Sequence, residues 1–323
     1  MRNPSNSSGH TPWSLAIVLA TALSLLVTGC STTAETRTSD PLPAIRVDAG
    51  LADSVPAAYK ADGVLTVATD PTYPPLEFTD AGVLRGVDID LARAIGAVLG
   101  MRVEFTSVPY DTIVPSTAIG RFDLAIAAIW ATDPESALAN MVTYYQAGTS
   151  YAVRVGTHGP TSVGLGLCGH SVAVEEGTEL VDSLVATSKK CQAANLARIT
   201  IHACDNQALA TAALLDGSVQ AMAADSPVIT YTLAQNPNAL APLGTVSNLR
   251  PYGIATPSAD QQWAQTVRGA VQQLIDGGQY AEILARWNDS AGAISKSEVL
   301  PAHPGSSVLA PNSPSTGPTT VSD

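Results

Sequence analysis

The chain has 323 residues, with 28 acidic against 16 basic side chains and a formal net charge of -12 at pH 7. Charge of this sign repels a phosphate backbone, which excludes nucleic acid as a class of partner. Apolar residues make up 46% of the chain and charged residues 14%, which indicates a folded protein with enough core for two lobes.

An uncharged apolar run from Ser14 to Gly29 comes first and ends at Cys30. As a helix, this run would span only ~24 Å against a hydrocarbon core of ~30 Å. Residues 1–29 are therefore predicted to be a signal peptide rather than a membrane span. The sequence Val27-Thr28-Gly29-Cys30 resembles a bacterial lipobox, in which the cysteine becomes the lipidated N-terminus. The alternative is an ordinary signal peptide followed by a chance cysteine.

Two stretches flank the central part of the chain and lack apolar periodicity. Residues 30–61 mix Ser, Thr, Pro, Ala and Asp, and they are predicted to be a lipidated N-terminus with a disordered spacer. Residues 293–323 end in a segment rich in Pro, Ser, Thr and Gly and are predicted to be a disordered tail.

The central part alternates strand and helix patterns. Val64–Ala68 is predicted as a strand, and the next helix has Asp88 as its N-cap and Gly100 as its terminator. Further segments are predicted as strands at 103–108, 124–129, 171–174, 198–203 and 219–223, and as helices at 112–119, 179–190, 206–216, 227–235 and 263–287, the last broken at Gly277-Gly278. This alternation predicts an α/β fold with open, mainly parallel sheets flanked by helices.

Three cysteines lie beyond Cys30, and their spacing is not that of a zinc site, so no metal is expected. Cys168 precedes a predicted strand and Cys191 ends a predicted helix, so a bridge between them would staple the two elements. We expect the disulfide Cys168–Cys191, with Cys204 left over. The alternative is three reduced thiols that pack as small apolar side chains.

Seven short motifs follow one another between residues 62 and 290. They are Asp70 to Phe78, Gly86-Val87-Asp88-Ile89-Asp90-Leu91, Gly120-Arg121-Phe122-Asp123-Leu124, Val174-Glu175-Glu176-Gly177-Thr178, Ala224-Asp225-Ser226-Pro227, Pro251-Tyr252-Gly253-Ile254 and Trp287. Their order and spacing resemble the family 3 extracellular solute-binding proteins of ABC importers.

The resemblance implies a periplasmic-binding-protein type II fold with two α/β lobes and a two-crossing hinge. Lobe 1 would comprise residues 62–150 and 251–292, and lobe 2 residues 151–250. The crossings would lie near Gly148–Ala152 and Asn248–Tyr252. The resemblance also implies a monomer without cofactor, anchored to the outer face of the cell membrane as a lipoprotein and working with the permease subunits of an ABC transporter.

The resemblance assigns roles in the cleft between the lobes. In relatives that bind amino acids, a Thr and an Arg after the third strand grip the α-carboxylate, and an Asp of the second lobe takes the ammonium. Asp225 matches that Asp, although it could instead only cap the following helix. The Arg is missing, because Thr132-Asp133-Pro134-Glu135-Ser136 contains none, and Trp130 stands at the position of the Thr.

The predicted ligand-binding residues are acidic and aromatic: Asp70, Tyr73, Tyr110, Trp130, Glu175 and Asp225, with Gly177 and Thr178 at a helix start, where backbone N–H groups can bind a carboxylate. Carboxylates and aromatic faces favour a cation. The predicted ligand is therefore a small amine-bearing solute, an amino acid or a related cation. The alternative is that Trp130 and Tyr110 only pack lobe 1 while Glu175 points to water.

The predicted function is binding without chemistry, for an ABC importer. One alternative is a ligand-sensing lipoprotein that signals to a membrane receptor. Another is a dehydratase-like enzyme on the same fold, similar to cyclohexadienyl dehydratase, with no catalytic residue identified. Its carboxylated ring substrate would need cationic clamps, which the predicted cleft lacks.

Overall fold

The computed structural model describes residues 42–131 and 135–303. The predicted signal peptide, Cys30 and the segment Thr132–Pro134 lie outside the described residues. Within the described ranges, no helix has both the length and the apolar character needed to cross a bilayer.

The described residues form the following elements. The helices are α1 Ala49–Ser54, α2 Ala57–Lys60, α3 Val87–Leu99, α4 Tyr110–Ala118, α5 Glu179–Ala193, α6 Gln207–Asp216, α7 Ser226–Gln235, α8 Gln261–Asp276 and α9 Gln279–Arg286. The strands are β1 Val64–Thr69, β2 Thr72–Tyr73, β3 Glu77–Asp80, β4 Val83–Arg85, β5 Arg102–Ser107, β6 Leu124–Ala125, β7 Asn140–Arg154, β8 Ser171–Glu175, β9 Thr200–Cys204, β10 Ala221–Asp225, β11 Leu240–Pro242, β12 Ser247–Thr256 and β13 Val299–Leu300.

Most strands share one sheet, in the order β5-β1-β6-β12-β7-β10-β8-β9. Strands β1, β5 and β6 are parallel and, with α3, α4, α8 and α9, form what we call the first lobe. Strands β8, β9 and β10 are parallel and form the second lobe with α5, α6 and α7. The predicted two-lobed α/β fold is confirmed. The two sheets are joined into one because the connecting strands β7 and β12 pair with each other and with both lobes.

The predicted crossings at Gly148–Ala152 and Asn248–Tyr252 fall inside β7 and β12, which run antiparallel. The two strands come very close at Gly148, where a Cβ would lie 2.6 Å from the carbonyl oxygen of Ser247. Only glycine permits this approach, because any side chain would collide with backbone.

Helix α3 begins earlier than predicted, since its N-cap lies two residues before Asp88. The N-cap is Gly86, with φ +132°, where a Cβ would lie 1.9 Å from the backbone carbonyl oxygen of Leu76. The prediction of Asp88 as N-cap is wrong, since Asp88 is buried in the first turn and accepts hydrogen bonds from the Ala128 N–H and the Tyr144 hydroxyl. Gly100 ends the helix in the left-handed conformation, as predicted.

The prediction of a disordered spacer over residues 30–61 is wrong from residue 42 on. The backbone N–H of Asp48 donates to the carbonyl of Val98 at 2.9 Å, which fastens the start of α1 to α3. The Tyr59 ring on α2 stacks on Trp263, with ring centroids 4.6 Å apart. Helices of six and four residues are too short to show apolar periodicity in a sequence.

The predicted disordered tail also begins too early. Strand β13 pairs with β7, the Ser297 hydroxyl donates to the carbonyl of Thr143 at 2.6 Å, and the Ala302 N–H donates to Asn140 Oδ1 at 3.0 Å. The prediction is wrong for residues 293–303, and residues 304–323 lie outside the described part.

The disulfide expected between Cys168 and Cys191 is present, and it joins the turn before β8 to the last turn of α5. Cys191 is fully buried in the core of the second lobe. Cys204 is a free thiol on β9, as expected.

Candidate functional site

A narrow cavity lies between the two lobes. It is lined by Asp70, Thr72, Tyr73, Glu77, Tyr110, Ala128, Trp130, Glu175, Thr178, Leu180 and Asp225. Seven of the eight residues predicted to bind ligand line this one cavity. The exception is Gly177, an exposed residue with φ +77° in the turn that leads to α5. Their contact with a ligand stays a prediction.

The strand ends explain why acidic side chains meet here. Asp70 follows β1 directly, Glu175 is the last residue of β8 and Asp225 is the last residue of β10. In open α/β sheets, side chains at the carboxyl ends of parallel strands face the crevice. The fold therefore brings carboxyl groups from both lobes to opposite walls of one cleft.

Asp225 is held as an acceptor with one oxygen free. The Tyr252 hydroxyl donates to its Oδ2 at 2.5 Å, and Oδ1 is buried without a hydrogen-bond partner. Burial raises the pKa of Asp225 to about 7, although the hydroxyls of Tyr252 and Tyr73 and the positive charge of Arg250 oppose the shift. Its side chain makes no capping hydrogen bond to α7, so the alternative of a simple helix cap is wrong.

Glu175 faces Asp225 and Asp70 across the cleft. Its side chain is only 6% exposed, so the alternative that it points to water is wrong. Burial and the negative charges of Asp70 and Asp225 raise the pKa of Glu175 to about 8, and a hydrogen bond from the backbone N–H of Gln207 offsets little of this. In the empty cleft Glu175 therefore carries a proton near neutral pH.

Glu77 is a site residue that the sequence analysis missed. It begins β3, is 1% exposed, and its Oε2 has no hydrogen-bond partner among the described residues. Burial and the neighbouring Asp88 raise the pKa of Glu77 well above its usual range. The available signal was an acidic residue between the apolar Leu76 and Phe78.

Trp130 packs in the core and also faces the cavity, so the two interpretations that the sequence left open do not exclude each other. It is 3% exposed and packs against Tyr252 with ring centroids 4.8 Å apart, and it also lines the cavity. The sequence predicted no role for Tyr252 beyond its place in the Pro251 to Ile254 motif. In the structure it packs against Trp130 and donates a hydrogen bond to Asp225.

Arg250 is the second residue that the sequence analysis missed. A register shift in β12 separates it from Ser247, and its guanidinium lies over the Trp130 ring, 4.4 Å from the centroid. It also forms an ion pair with Glu179, the first residue of α5. Arg250 and Glu179 border a groove that shares Leu180 with the cavity. A guanidinium therefore lies close to a cavity for which the sequence predicted no basic residue. The available signal was its position directly before the Pro251 to Ile254 motif.

The wall of the cavity is acidic and aromatic. Four carboxyl groups and three aromatic rings line it, and none of the described residues on its wall is basic. Among the described residues, no group of three or more His, Cys, Asp or Glu side chains is placed to hold a metal ion.

Comparisons with known proteins agree with this geometry. Residues 65–290 match the family model described as bacterial extracellular solute-binding proteins, family 3. The chain is 30% identical over 259 residues to the arginine-binding protein ArgT of Corynebacterium glutamicum, covering 79% of this chain and 82% of that one. It is 27% identical over 227 residues to the putative ABC transporter arginine-binding protein 2 of Escherichia coli, covering 68% and 88%.

A solved structure supports the same assignment. An ancestral arginine-binding protein bound to arginine superposes with a TM-score of 0.63 at 30% identity, covering 70% of this chain and 98% of that one. The match of the family model spans well over half of the chain, and the fold is the one the family implies. The chain belongs to the bacterial extracellular solute-binding proteins of family 3.

Proposed function

We propose that this protein captures a cationic amino acid, arginine or a close analogue, for an ABC importer, without chemical conversion. The observation that carries the proposal is the set of carboxyl groups in the cleft. Glu77, Glu175 and Asp225 are at most 6% exposed, and Asp70 joins them on the same cavity wall. Buried carboxylates are costly unless they are paired, and a bound cation supplies the pairing.

The unpartnered oxygens favour a guanidinium over a simple ammonium. Asp225 Oδ1 and Glu77 Oε2 are two buried acceptors on one cavity. A guanidinium offers five N–H donors in a planar fork and stacks on aromatic faces, whereas an ammonium is a compact point charge. Tyr73, Tyr110 and Trp130 provide such faces. The names of the relatives, arginine-binding proteins, support the same ligand class.

The experiment is a thermal-shift screen followed by calorimetric titration with arginine, lysine, histidine, glutamine and glutamate. Ligand at 100 times its dissociation constant adds about 2.7 kcal/mol to the free energy of unfolding. We expect the largest gain with arginine and none with glutamate. A larger gain with glutamate or glutamine than with arginine would contradict a cation site.

Membrane attachment through Cys30 is part of the proposal, supported by the lipobox-like sequence that precedes it. Replacing Cys30 with Ala should release a folded, ligand-binding protein from the membrane fraction, because residues from 42 onward build the fold. Fractionation and immunoblotting measure the release. Retention of the processed variant on the membrane would contradict lipid anchoring. Cross-linking before solubilisation would distinguish permease subunits from a membrane receptor as the partner.

One observation favours the dehydratase-like alternative. Glu175 is protonated near neutral pH inside the cleft, as a general acid must be. Its surroundings disfavour a carboxylated ring substrate, since Asp70 and Asp225 would repel it. Incubation of the protein with candidate ligands, followed by mass spectrometry, tests for turnover. Recovery of unchanged arginine supports binding alone, and loss of water or carbon dioxide from a bound carboxylated ring would favour the enzyme.

A further inference from the structure

We infer that Arg250 binds the carboxylate of the amino acid ligand and so selects amino acids over the corresponding decarboxylated amines. This inference rests on the proposed function, because it assigns a role within the same site.

A carboxylate needs a counter-charge in this cleft. An amino acid brings its own negative charge to a wall that already carries the acidic side chains of Asp70 and Asp225. Like charges at close range are strongly unfavourable where water is excluded. An amine without a carboxylate would meet no such penalty, so binding of an amino acid requires a positive protein group near the cavity.

Arg250 is placed to supply that group. It borders a groove that shares Leu180 with the cavity, and its positive charge acts on Asp225, where it opposes the rise in pKa caused by burial. The guanidinium lies over the Trp130 ring, with its central carbon 4.4 Å from the ring centroid. A guanidinium carries its N–H donors along its edges, and carboxylate recognition uses those edges.

The ion pair with Glu179 is compatible with this role. Arg250 is 25% exposed and Glu179 43% exposed, so their pair is open to solvent and to a ligand. A guanidinium has five N–H donors, more than one carboxylate accepts, and a second carboxylate can share it or replace the first. Trp130 belongs to the first lobe and Glu179 begins α5 of the second, so Arg250 bridges both walls of the cleft.

The test compares two ligands that differ only in the carboxylate. Calorimetry measures the affinity of the parent, Arg250→Ala and Arg250→Lys for arginine and for agmatine, which is arginine without its carboxylate. We expect Arg250→Ala to lower the affinity for arginine at least about tenfold and the affinity for agmatine less than about threefold, because only arginine loses a charge-assisted bidentate contact. The affinity of Arg250→Lys for arginine should lie between those of the parent and Arg250→Ala, because lysine keeps the positive charge but cannot make a bidentate contact.

The control is Arg102→Ala, which removes an exposed arginine paired with Glu104 on β5, away from the cavity. It should change neither affinity. Thermal unfolding and circular dichroism report whether each variant folds. If Arg250→Ala lowered the affinities for arginine and agmatine equally, the assignment would be overturned. An equal loss would show that Arg250 acts only by packing on Trp130. Unchanged arginine affinity in Arg250→Ala would overturn it as well. A parent that binds neither arginine nor any other amino acid would overturn the proposed function first, which makes the two failures distinguishable.

Discussion

Two buried aspartates, one in each lobe, differ in how completely their oxygens are hydrogen-bonded. Asp88 is fully buried in the first turn of α3, and its oxygens accept hydrogen bonds from the Tyr144 hydroxyl at 2.8 Å and the Ala128 N–H at 2.9 Å. Asp225 is 3% exposed at the end of β10 and has a donor on Oδ2 alone.

The difference lies in the donors, since burial is nearly the same. Burial raises the pKa of Asp88 to about 6 and that of Asp225 to about 7. A buried acceptor left without a donor costs about 1–3 kcal/mol. Of these two aspartates, only Asp225, which lines the cleft, carries that cost. An oxygen without a donor at this position is available to a ligand.

The largest effect is expected at the structural aspartate. Asp88→Ala leaves the Ala128 N–H and the Tyr144 hydroxyl buried without an acceptor, so the free energy of unfolding should fall by about 2–5 kcal/mol. Urea denaturation measures the loss. Asp53→Ala is the matched control, because its side chain is 85% exposed and the change should stay within about 0.5 kcal/mol. A loss of similar size in both variants would contradict the comparison.

Asp225, which we propose binds the ligand, should show a loss of affinity rather than a loss of stability. Asp225→Asn keeps the size of the side chain and removes its charge, so affinity for the cationic ligand should fall by about 1.5–3 kcal/mol. The free energy of unfolding should stay equal or rise, because a desolvated charge is removed. Calorimetric titration and urea denaturation measure the two quantities. Parent-like binding, or destabilisation as large as that of Asp88→Ala, would show that Asp225 is structural too.

The smallest expected effect is the change of stability and of ligand affinity with pH, which we assign to Glu175. Its folded pKa of about 8 lies above the unfolded value near 4.5, so its contribution to stability is complete below pH 4.5 and is lost as pH rises through 8. Ligand affinity should move the other way, because a cation binds the ionised form. We expect about tenfold tighter arginine binding at pH 8 than at pH 6, which is about 1.4 kcal/mol.

Glu175→Gln is the control for the pH prediction. It cannot ionise, so the empty variant should lose less stability than the parent between pH 6 and pH 8. Its arginine affinity should also change less over that interval. Thermal unfolding of the empty protein and calorimetry at both pH values provide the data. If Glu175→Gln kept the pH dependence of stability and affinity seen in the parent, the titrating group would be a residue other than Glu175.

The sequence predicted the local elements better than the contacts between distant ones. The C-terminal end of α3 follows from Gly100, and the start of α5 and the strands near Asp70, Glu175 and Asp225 follow from the apolar pattern. Those strand ends also placed the acidic residues correctly on one cavity.

The contacts that complete the site come from far apart in the chain. Tyr252 reaches Asp225 across the connecting strands, and Arg250 reaches Trp130 because the register of β12 shifts beside it. A sequence shows residue types and spacing but no strand register, so neither pairing was predictable. Trp130 was ambiguous for the same reason, since a ring can pack a core and line a cavity at once.

The attachment of both chain ends has a practical consequence for measurement. Helices α1 and α2 pack on α3 and α8, and β13 pairs with the first-lobe end of β7, so the described chain enters and leaves through the same lobe. Fluorophores attached at the two ends of the described segment, near residues 42 and 303, would therefore lie on the same lobe and stay nearly constant in separation. A fluorescent reporter of cleft closure needs one label inserted in the second lobe, for example in the exposed turn after α5 near Asn195.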